Sequence, residues 1–305
     1  MLVANTNDRQ GRKPNLRCYM SWLALDQMPR FASPAADSGA SRVAAIANAG
    51  YQGVQLDVEY SAAQVDLCRQ AGLRVAGTGR VNGPSEIRPL AQRALEHGLD
   101  CVTLHVGWGM EDETVALRLL EGVIRASAEL HIPLFVETHR ATIFQDIWRT
   151  VQFVKRLPAI RINGDFSHWY TGLEFVYGGF ETKMQFIAPV LERVRFLHGR
   201  IGNPGSMQVD IGDGGDDGQP FVAHFRQLWT ASMIRFLQNA GPGDFLCFVP
   251  ELLAPRIYYG RAFRGPNGEM VEESDRWAQS RVLCELAQEC FDAASRAIAI
   301  EAPNS

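Results

Sequence analysis

Short apolar runs alternate along the chain with longer segments in which apolar residues recur about every three to four positions. The short runs have the length of buried parallel strands, and the longer segments have the period of amphipathic helices. The predicted strands occupy residues 16–22, 53–58, 74–79, 101–107, 133–138, 160–165, 194–200 and 245–251. This alternation predicts repeated strand–helix units and therefore an α/β fold with a parallel sheet.

Helical patterns fill the intervals between the strands. They occupy residues 38–49, 62–71, 85–97, 112–130, 144–156, 183–193, 221–239 and 273–300. Several end on a glycine just before the next strand, as at Gly50, Gly72 and Gly98, and glycine is a common residue at helix ends. Eight strand–helix units predict a closed (β/α)8 TIM barrel. A dinucleotide-binding sheet is disfavoured because no Gly-x-Gly-x-x-Gly motif follows the first strand.

The domain organisation is simple. No linker divides the chain, so we predict a single barrel domain over residues 16–300. The composition of residues 1–15 predicts a disordered extension before the first strand. Two connections, 166–182 and 201–220, exceed the usual loop length, and each follows a strand that ends in a candidate ligand. The second is rich in Gly and Asp and could act as a lid or as a contact in the homo-oligomer that we expect.

Composition and charge narrow the function classes. The 305 residues are 46% hydrophobic and carry a formal net charge of -4, so a large core is available but a basic surface for nucleic acid is not. The six cysteines are scattered without a Cys-x-x-Cys pair, which is typical of a reducing compartment. Residues 5–11 are polar, so no apolar signal segment follows the start, and no apolar run approaches ~18 residues. We therefore expect a cytoplasmic protein with a small-molecule substrate and no membrane partner.

Four predicted strands end in side chains that bind metals. Glu137, Asp165, His198 and Glu251 close the fifth to eighth strands. Barrel enzymes place their chemistry at this end of the strands, and neighbouring strands lie about 4.8 Å apart, so the four side chains can converge. A single carboxylate at a strand end is more often a helix cap or an ion-pair partner, but four ligand types in succession favour a metal. Mostly oxygen donors with one imidazole suit Mn2+, Mg2+ or Co2+ better than a structural zinc.

These residues also carry a family resemblance. Their order, together with Asp165-Phe-Ser-His168 and His198-Gly-Arg200, resembles the xylose isomerase-like TIM-barrel superfamily of sugar isomerases and epimerases, including ketose 3-epimerases and inosose dehydratases. The resemblance spans residue 16 to the last helix. It implies that the four strand-end residues bind a divalent metal ion, Mn2+ first with Mg2+, Co2+ or Zn2+ as alternatives. It also implies that His168 and Arg200 contact the substrate.

The resemblance implies a reaction as well. A divalent ion chelated by a carbonyl and its neighbouring hydroxyl acidifies the proton on the hydroxyl-bearing carbon and stabilises the resulting enediolate. Glu137 and Glu251 could then act as base and acid, giving epimerisation or aldose–ketose isomerisation. We therefore predict a metal-dependent isomerase or epimerase that acts on a ketose or a related carbohydrate.

Further candidates surround the predicted barrel mouth. His105 ends the fourth strand and either faces the substrate or is a satisfied histidine of the barrel wall. His139 is predicted to orient Glu137 as a hydrogen-bond donor, and the alternative is that it opens the following helix. Trp108 and Trp169 could offer aromatic faces to a sugar or simply pack the mouth.

Three other functions compete with this prediction. A lyase or dehydratase acting on a keto-sugar, keto-inositol or keto-glycoside would use the same intermediate and expel a β-leaving group. A phosphodiesterase like endonuclease IV shares the barrel but has a three-zinc, histidine-rich site, and the acidic charge argues against it. A non-catalytic sugar-binding subunit would bind without turnover. No Gly-rich phosphate cradle follows the last two strands, which favours an unphosphorylated substrate, although Arg200 could reverse that preference.

Overall fold

Eight parallel strands close into a barrel in the computed structural model, which describes residues 5–28, 38–57, 59–215 and 218–301. The strands are β1 (Thr6–Asn7), β2 (Asn15–Ser21), β3 (Gly53–Asp57), β4 (Arg74–Val81), β5 (Val102–Val106), β6 (Leu134–Glu137), β7 (Ile162–Gly164), β8 (Val194–His198), β9 (Asp244–Val249), β10 (Ala262–Arg264) and β11 (Met270–Glu272). Strands β2 to β9 pair in chain order, and β9 closes the barrel by pairing with both β8 and β2. The predicted TIM barrel is confirmed.

Helices follow the barrel strands and cover the outside of the sheet. They are α1 (Gly39–Asn48), α2 (Ala62–Gln70), α3 (Pro84–Glu96), α4 (Glu113–Leu130), α5 (Ile147–Arg156), α6 (Ser167–Gly172), α7 (Phe180–Phe186), α8 (Ala188–Leu191), α9 (Pro220–Leu237) and α10 (Arg276–Glu301). The predicted helix at 183–193 is divided between α7 and α8. Pro189 explains the division because it lacks the N–H needed to continue a helix and instead occupies the first turn of α8.

Local sequence fixes where several helices begin. The Ser61 side chain accepts a hydrogen bond from the Gln64 amide, and the Gln64 side chain accepts one from the Ser61 amide. Asp112 and Asp146 cap α4 and α5 in a simpler way, each accepting a hydrogen bond from an amide of the first turn. These caps satisfy N–H groups that the helix itself leaves unpaired, so each strand-to-helix connection ends at a defined residue.

The barrel interior is polar at the carboxyl ends of the strands and apolar beneath them, towards the amino ends. Its buried apolar cluster comprises Tyr19, Ala76, Cys101, Phe135, Phe196, Phe245, Cys247 and Val249. On β6, Phe135 and Glu137 are two positions apart and face the same side, and Phe196 and His198 repeat the arrangement on β8. The alternation therefore places ligand-type side chains directly above the apolar filling, at the carboxyl ends of the strands.

The stretch before the first barrel strand is not a disordered extension where the structure describes it. Strand β1 pairs antiparallel with β9, with Thr6 opposite Phe245 and Asn7 opposite Asp244. The Thr6 hydroxyl donates to the Phe245 carbonyl at 2.8 Å, and the Asn7 amide donates to the Asp244 carboxylate at 2.7 Å. The prediction of disorder is therefore wrong for this part, and residues 1–4 lie outside the described ranges.

The two long connections have structure of their own. The first contains α6, and the second packs against the segment that follows β9. The Gln208 side chain donates to the Leu253 carbonyl at 3.0 Å and accepts from the Leu253 amide at 2.8 Å, so the second connection is tied to the top of the barrel. Within the described ranges, no helix combines the length and apolar character that crossing a membrane requires.

Candidate metal centre and active site

The four predicted metal ligands meet at one point in the barrel mouth. Glu137, Asp165, His198 and Glu251 each offer a ligand atom within 4.8 Å of the others. From His198 Nδ1, the nearest oxygens of Glu137, Glu251 and Asp165 lie at 3.3, 3.7 and 4.0 Å. Glu251 is 7% exposed and the other three are fully buried. Three carboxylates and one imidazole thus face a common centre.

Strand pairing explains the convergence. Glu137 is the last residue of β6 and pairs with Asn163 on β7. Asp165 follows β7 directly, and His198 is the last residue of β8. Glu251 comes two positions after β9, whose Val249 is the register partner of His198. Four neighbouring strands therefore end at nearly the same height, which brings their terminal side chains together.

Two buried amides that the sequence did not single out hold the ligands. Asn163 Nδ2 donates to Glu137 Oε2 at 3.0 Å and lies 3.1 Å from His198 Nδ1. Gln55 Oε1 lies 3.0 Å from His198 Nε2, and Gln55 Nε2 donates to Thr103 Oγ1 at 3.0 Å. The sequence feature that indicates such residues is an amide side chain at an inward-facing position of an apolar strand, because a buried amide requires hydrogen-bond partners.

Arg200 ties two of the ligands together. This fully buried guanidinium pairs with the Asp165 carboxylate through Nη2, and its Nη1 lies 3.2 Å from Glu251 Oε2. Nη1 also donates to the Glu251 carbonyl at 3.0 Å, and Nε donates to Ser167 Oγ at 3.1 Å. All three nitrogens therefore have protein partners, so the observed role of Arg200 is to fix carboxylates. Substrate contact by Arg200 stays a prediction.

Charge in the cluster perturbs the pKa values of its members. Burial alone would raise the pKa of Glu137, but the His198 and His105 imidazoles hold it well below the usual carboxyl range. Burial would lower the pKa of His198, yet Glu251 and Glu137 raise it to about 9. Burial raises the pKa of Glu251, although His198 and Arg200 oppose that change. The surrounding carboxylates therefore favour a positive charge at the centre of the cluster.

The cluster fits a divalent cation. Glu137 Oε1 is buried and has no hydrogen-bond partner among the described residues, although it faces the centre of the group. A buried carboxylate oxygen without a partner is costly unless a cation or a donor satisfies it. Three carboxylates and one imidazole form a hard, oxygen-rich donor set. The residues that would hold the ion are the four predicted from the sequence.

Three imidazole rings in close, tilted contact lie beside the cluster. The ring of His139 is 4.0 Å from that of His105 and 3.9 Å from that of His168. His105 Nε2 lies 3.3 Å from Glu137 Oε2, and His168 Nε2 lies 3.4 Å from Asp165 Oδ2. His105, Glu137 and His139 also offer a second group of possible ligand atoms within 4.8 Å.

The predicted role of His139 needs correction. Its Nδ1 contacts the Arg140 carbonyl, and its Nε2 lies 2.9 Å from the Tyr259 hydroxyl. The imidazoles in contact with Glu137 are those of His105 and His198. Both ring nitrogens of His139 therefore have partners other than Glu137, and His105 contacts Glu137 instead.

Tyr259 is a site residue that the sequence did not reveal. Its ring lies 4.7 Å from the Arg200 guanidinium and 4.6 Å from that of Arg140. Burial raises the pKa of its hydroxyl. Tyr259 follows a short 3-10 turn (Pro255–Ile257) in the connection after β9, where neither periodicity nor a strand end marks it. A search for functional residues at strand ends therefore does not find Tyr259.

The two tryptophans behave differently. Trp108 is half-exposed at the mouth, and the Arg80 guanidinium lies 4.1 Å from its ring, so contact with substrate stays a prediction. Trp169 is buried in the hydrophobic core beside Phe166, and its Nε1 donates to the Phe144 carbonyl at 2.9 Å. The prediction that Trp169 presents a face to the substrate is corrected, because α6 directs this side chain into the core.

The sequence has no significant match to a protein-family model or to a curated protein. Solved structures do share its fold. A xylose isomerase-like TIM barrel protein from Mycobacterium smegmatis, in complex with magnesium, has a TM-score of 0.55 and 12% identity, covering 90% of this chain and 98% of that one. A xylose isomerase domain protein from Planctomyces limnophilus has a TM-score of 0.53 and 15% identity, covering 94% and 99%. These structures share the (β/α)8 barrel fold that the sequence predicts.

Proposed function

We propose that this protein is a divalent-metal-dependent enzyme that isomerises or epimerises a ketose or a related carbohydrate. The strongest support is the convergence of Glu137, Asp165, His198 and Glu251 on one buried point at the catalytic end of a barrel. A divalent cation held there polarises a carbonyl and its neighbouring hydroxyl, which lowers the pKa of the adjoining C–H group. The donor set favours Mn2+, with Mg2+, Co2+ or Zn2+ as alternatives.

Glu137 and Glu251 are the proposed acid and base. One carboxylate removes the proton from the hydroxyl-bearing carbon, and the other delivers a proton to that carbon or to its neighbour. Arg200 fixes Glu251 through its 3.2 Å ion pair, so this carboxylate is positioned before the substrate arrives. His168 is suited to bind a substrate hydroxyl, because its buried Nδ1 has no hydrogen-bond partner among the described residues.

The test is solvent deuterium incorporation into a panel of ketoses, keto-uronic acids and keto-glycosides, with metal-loaded protein and with chelator. Chelator-sensitive carbon–deuterium exchange is expected for the wild type. At saturating metal, Glu137→Gln and Glu251→Gln are each expected to slow exchange by at least about 100-fold, the usual contribution of a general acid or base. The exposed Glu121 on α4 provides the control substitution Glu121→Gln. Full exchange in both site variants would contradict the assignment.

A lyase or dehydratase is the second candidate function, and the imidazoles beside the cluster support it. Expulsion of a β-hydroxyl needs a proton donor, and His168 places an unpartnered ring nitrogen beside the cluster. Product analysis separates the two reactions. A new α,β-unsaturated carbonyl product with ultraviolet absorbance identifies dehydration, whereas a stereoisomer or an aldose of unchanged mass identifies epimerisation or isomerisation.

A further inference from the structure

Arg80 lies in the same row of side chains across neighbouring barrel strands as His105 and Glu137. It is the register partner of His105 across β4 and β5, and register partners on parallel strands face the same side. His105 in turn contacts Glu137 on β6, so the row faces the barrel interior. Two inter-strand spacings separate Arg80 from Glu137, or about 10 Å between their backbones. Arg80 therefore lies at the rim of the site, within reach of a substrate bound to the ligand cluster.

The Arg80 guanidinium is held in place but not neutralised. Its Nη1 donates to the Gly107 carbonyl at 2.6 Å and to the Ala141 carbonyl at 3.1 Å, and its plane lies over Trp108. No carboxylate of the described residues lies within ion-pair distance of the Arg80 guanidinium. The carboxylate oxygens of Glu111 on the same rim accept hydrogen bonds from backbone amides instead.

Arg140 adds a second uncompensated charge on the same side. It precedes Ala141, whose carbonyl anchors Arg80, and its guanidinium lies 4.6 Å from the Tyr259 ring. Among the described residues it too has no ion-pair partner. The Tyr259 hydroxyl lies 2.9 Å from His139 Nε2, so the Tyr259 side chain links Arg140 to the imidazoles beside the cluster.

The surroundings of the ligand cluster are open to solvent on the His105 side. The His105 side chain is 24% exposed, whereas those of Glu137 and His198 are completely buried. A substrate that approaches past His105 therefore meets Arg80 and Arg140 before it meets the ligands. Two guanidinium groups without carboxylate partners at an entrance favour an anionic group there.

We infer that Arg80 and Arg140 bind a carboxylate group of the substrate, and that the substrate is consequently a keto-sugar acid. This inference rests on the proposed function and specifies its substrate class. The planar guanidinium fork matches a carboxylate in geometry. The carboxylate lies several carbons away from the carbonyl that the ligand cluster receives.

Calorimetric binding to metal-loaded protein tests the inference with sugars that differ at one carbon. The pairs are D-fructose with D-fructuronate, D-tagatose with D-tagaturonate, and L-sorbose with 5-keto-D-gluconate. In at least one pair, the acid is expected to bind the wild type at least about 10-fold tighter than the neutral sugar, because each charge-assisted hydrogen bond contributes roughly that factor. D-fructose 6-phosphate and D-tagatose 6-phosphate provide the phosphate comparison.

Arg80→Gln and Arg140→Gln are each expected to reduce the preference for the acid over the neutral sugar by at least about five-fold. Arg118→Gln, on the exposed face of α4, is the matched control. The inference is overturned if no pair shows a preference for the acid, if Arg80→Gln keeps the preference, or if the phosphates bind more tightly than the acids. Binding does not require turnover, so failed deuterium exchange would count against the proposed reaction alone.

Discussion

At the scale of single residues, the site depends on buried amides as much as on ligands. Asn163 on β7 bridges two ligands from the strands on either side of it, contacting Glu137 Oε2 at 3.0 Å and His198 Nδ1 at 3.1 Å. Such supporting groups orient the ligand atoms and commonly change metal affinity by 10- to 100-fold when they are lost. Asn163 is therefore a positioning residue, and its contribution is measurable without a known substrate.

Asn163→Ala is expected to weaken Mn2+ binding by about 10- to 100-fold, because Glu137 and His198 lose the amide that holds them. Competition with a chelating dye measures the affinity directly. Asn239→Ala removes an exposed amide at the end of α9 and is the control, with no expected effect. Equal affinity in the wild type and in Asn163→Ala would show that the amide does not position the ligands.

The sequence predicted the ligands because a strand end is visible as the boundary of an apolar run, and four such boundaries carried ligand-type residues. Asn163 and Gln55 were missed because they lie within strands, where only register shows which side chains meet. Tyr259 was missed for another reason. It enters the site from an irregular connection, and the path of such a connection depends on tertiary contacts rather than on a local pattern.

At the scale of elements, Gly199 allows β8 and β9 to approach at the site. A Cβ added to Gly199 would lie 1.9 Å from Cζ of Phe248, a ring that packs in the core. Gly199 also stands between His198 and Arg200, so any shift of the backbone there displaces two residues of the site. Close packing, rather than an unusual backbone angle, is what requires glycine at this position.

Gly199→Ala is expected to lower the free energy of unfolding by about 3 kcal/mol, at the upper end of the range for overpacked cores. Urea denaturation followed by circular dichroism measures the change. Gly172→Ala is the control, because a Cβ at that position meets no atom within 4 Å. If Gly199→Ala is as stable as the control, Phe248 can move aside and the packing argument fails.

Elements were predicted well where periodicity was strong. All eight barrel strands lie within the predicted runs or within a few residues of them, because buried parallel strands are continuous apolar segments. The break between α7 and α8 had a local cause in Pro189 that the helical pattern masked. Strand β1 was missed because two residues have no period, and its pairing partner lies more than 200 positions away.

At the scale of the whole molecule, metal binding is expected to be coupled to folding. The ligands come from β6 to β9 and their following residues, so an unfolded chain cannot present them together. A ligand that binds only the folded state stabilises it by an amount set by its concentration relative to its Kd. The fold itself is shared with a xylose isomerase-like TIM barrel protein and a xylose isomerase domain protein at 12% and 15% identity, so chemistry must be established at the site.

Mn2+ at 100 times its Kd is expected to raise the free energy of unfolding by about 2.7 kcal/mol, provided that it does not bind the unfolded chain. Denaturation at fixed free Mn2+, with and without chelator, measures the increase. In Glu251→Gln the increase is expected to shrink at the same Mn2+ concentration, because one ligand charge is lost. A metal-induced increase that is identical in wild type and Glu251→Gln would place the ion elsewhere.

Equilibrium dialysis against Mn2+, followed by elemental analysis, measures whether Glu137, Asp165, His198 and Glu251 together bind one divalent ion. The wild type is expected to retain one ion per chain. A Glu137→Gln/Asp165→Asn double variant, with circular dichroism confirming that it is folded, is expected to retain none. An equal Mn2+ content in the two proteins, or a wild type that binds no divalent ion, would show that these four residues do not bind a divalent ion.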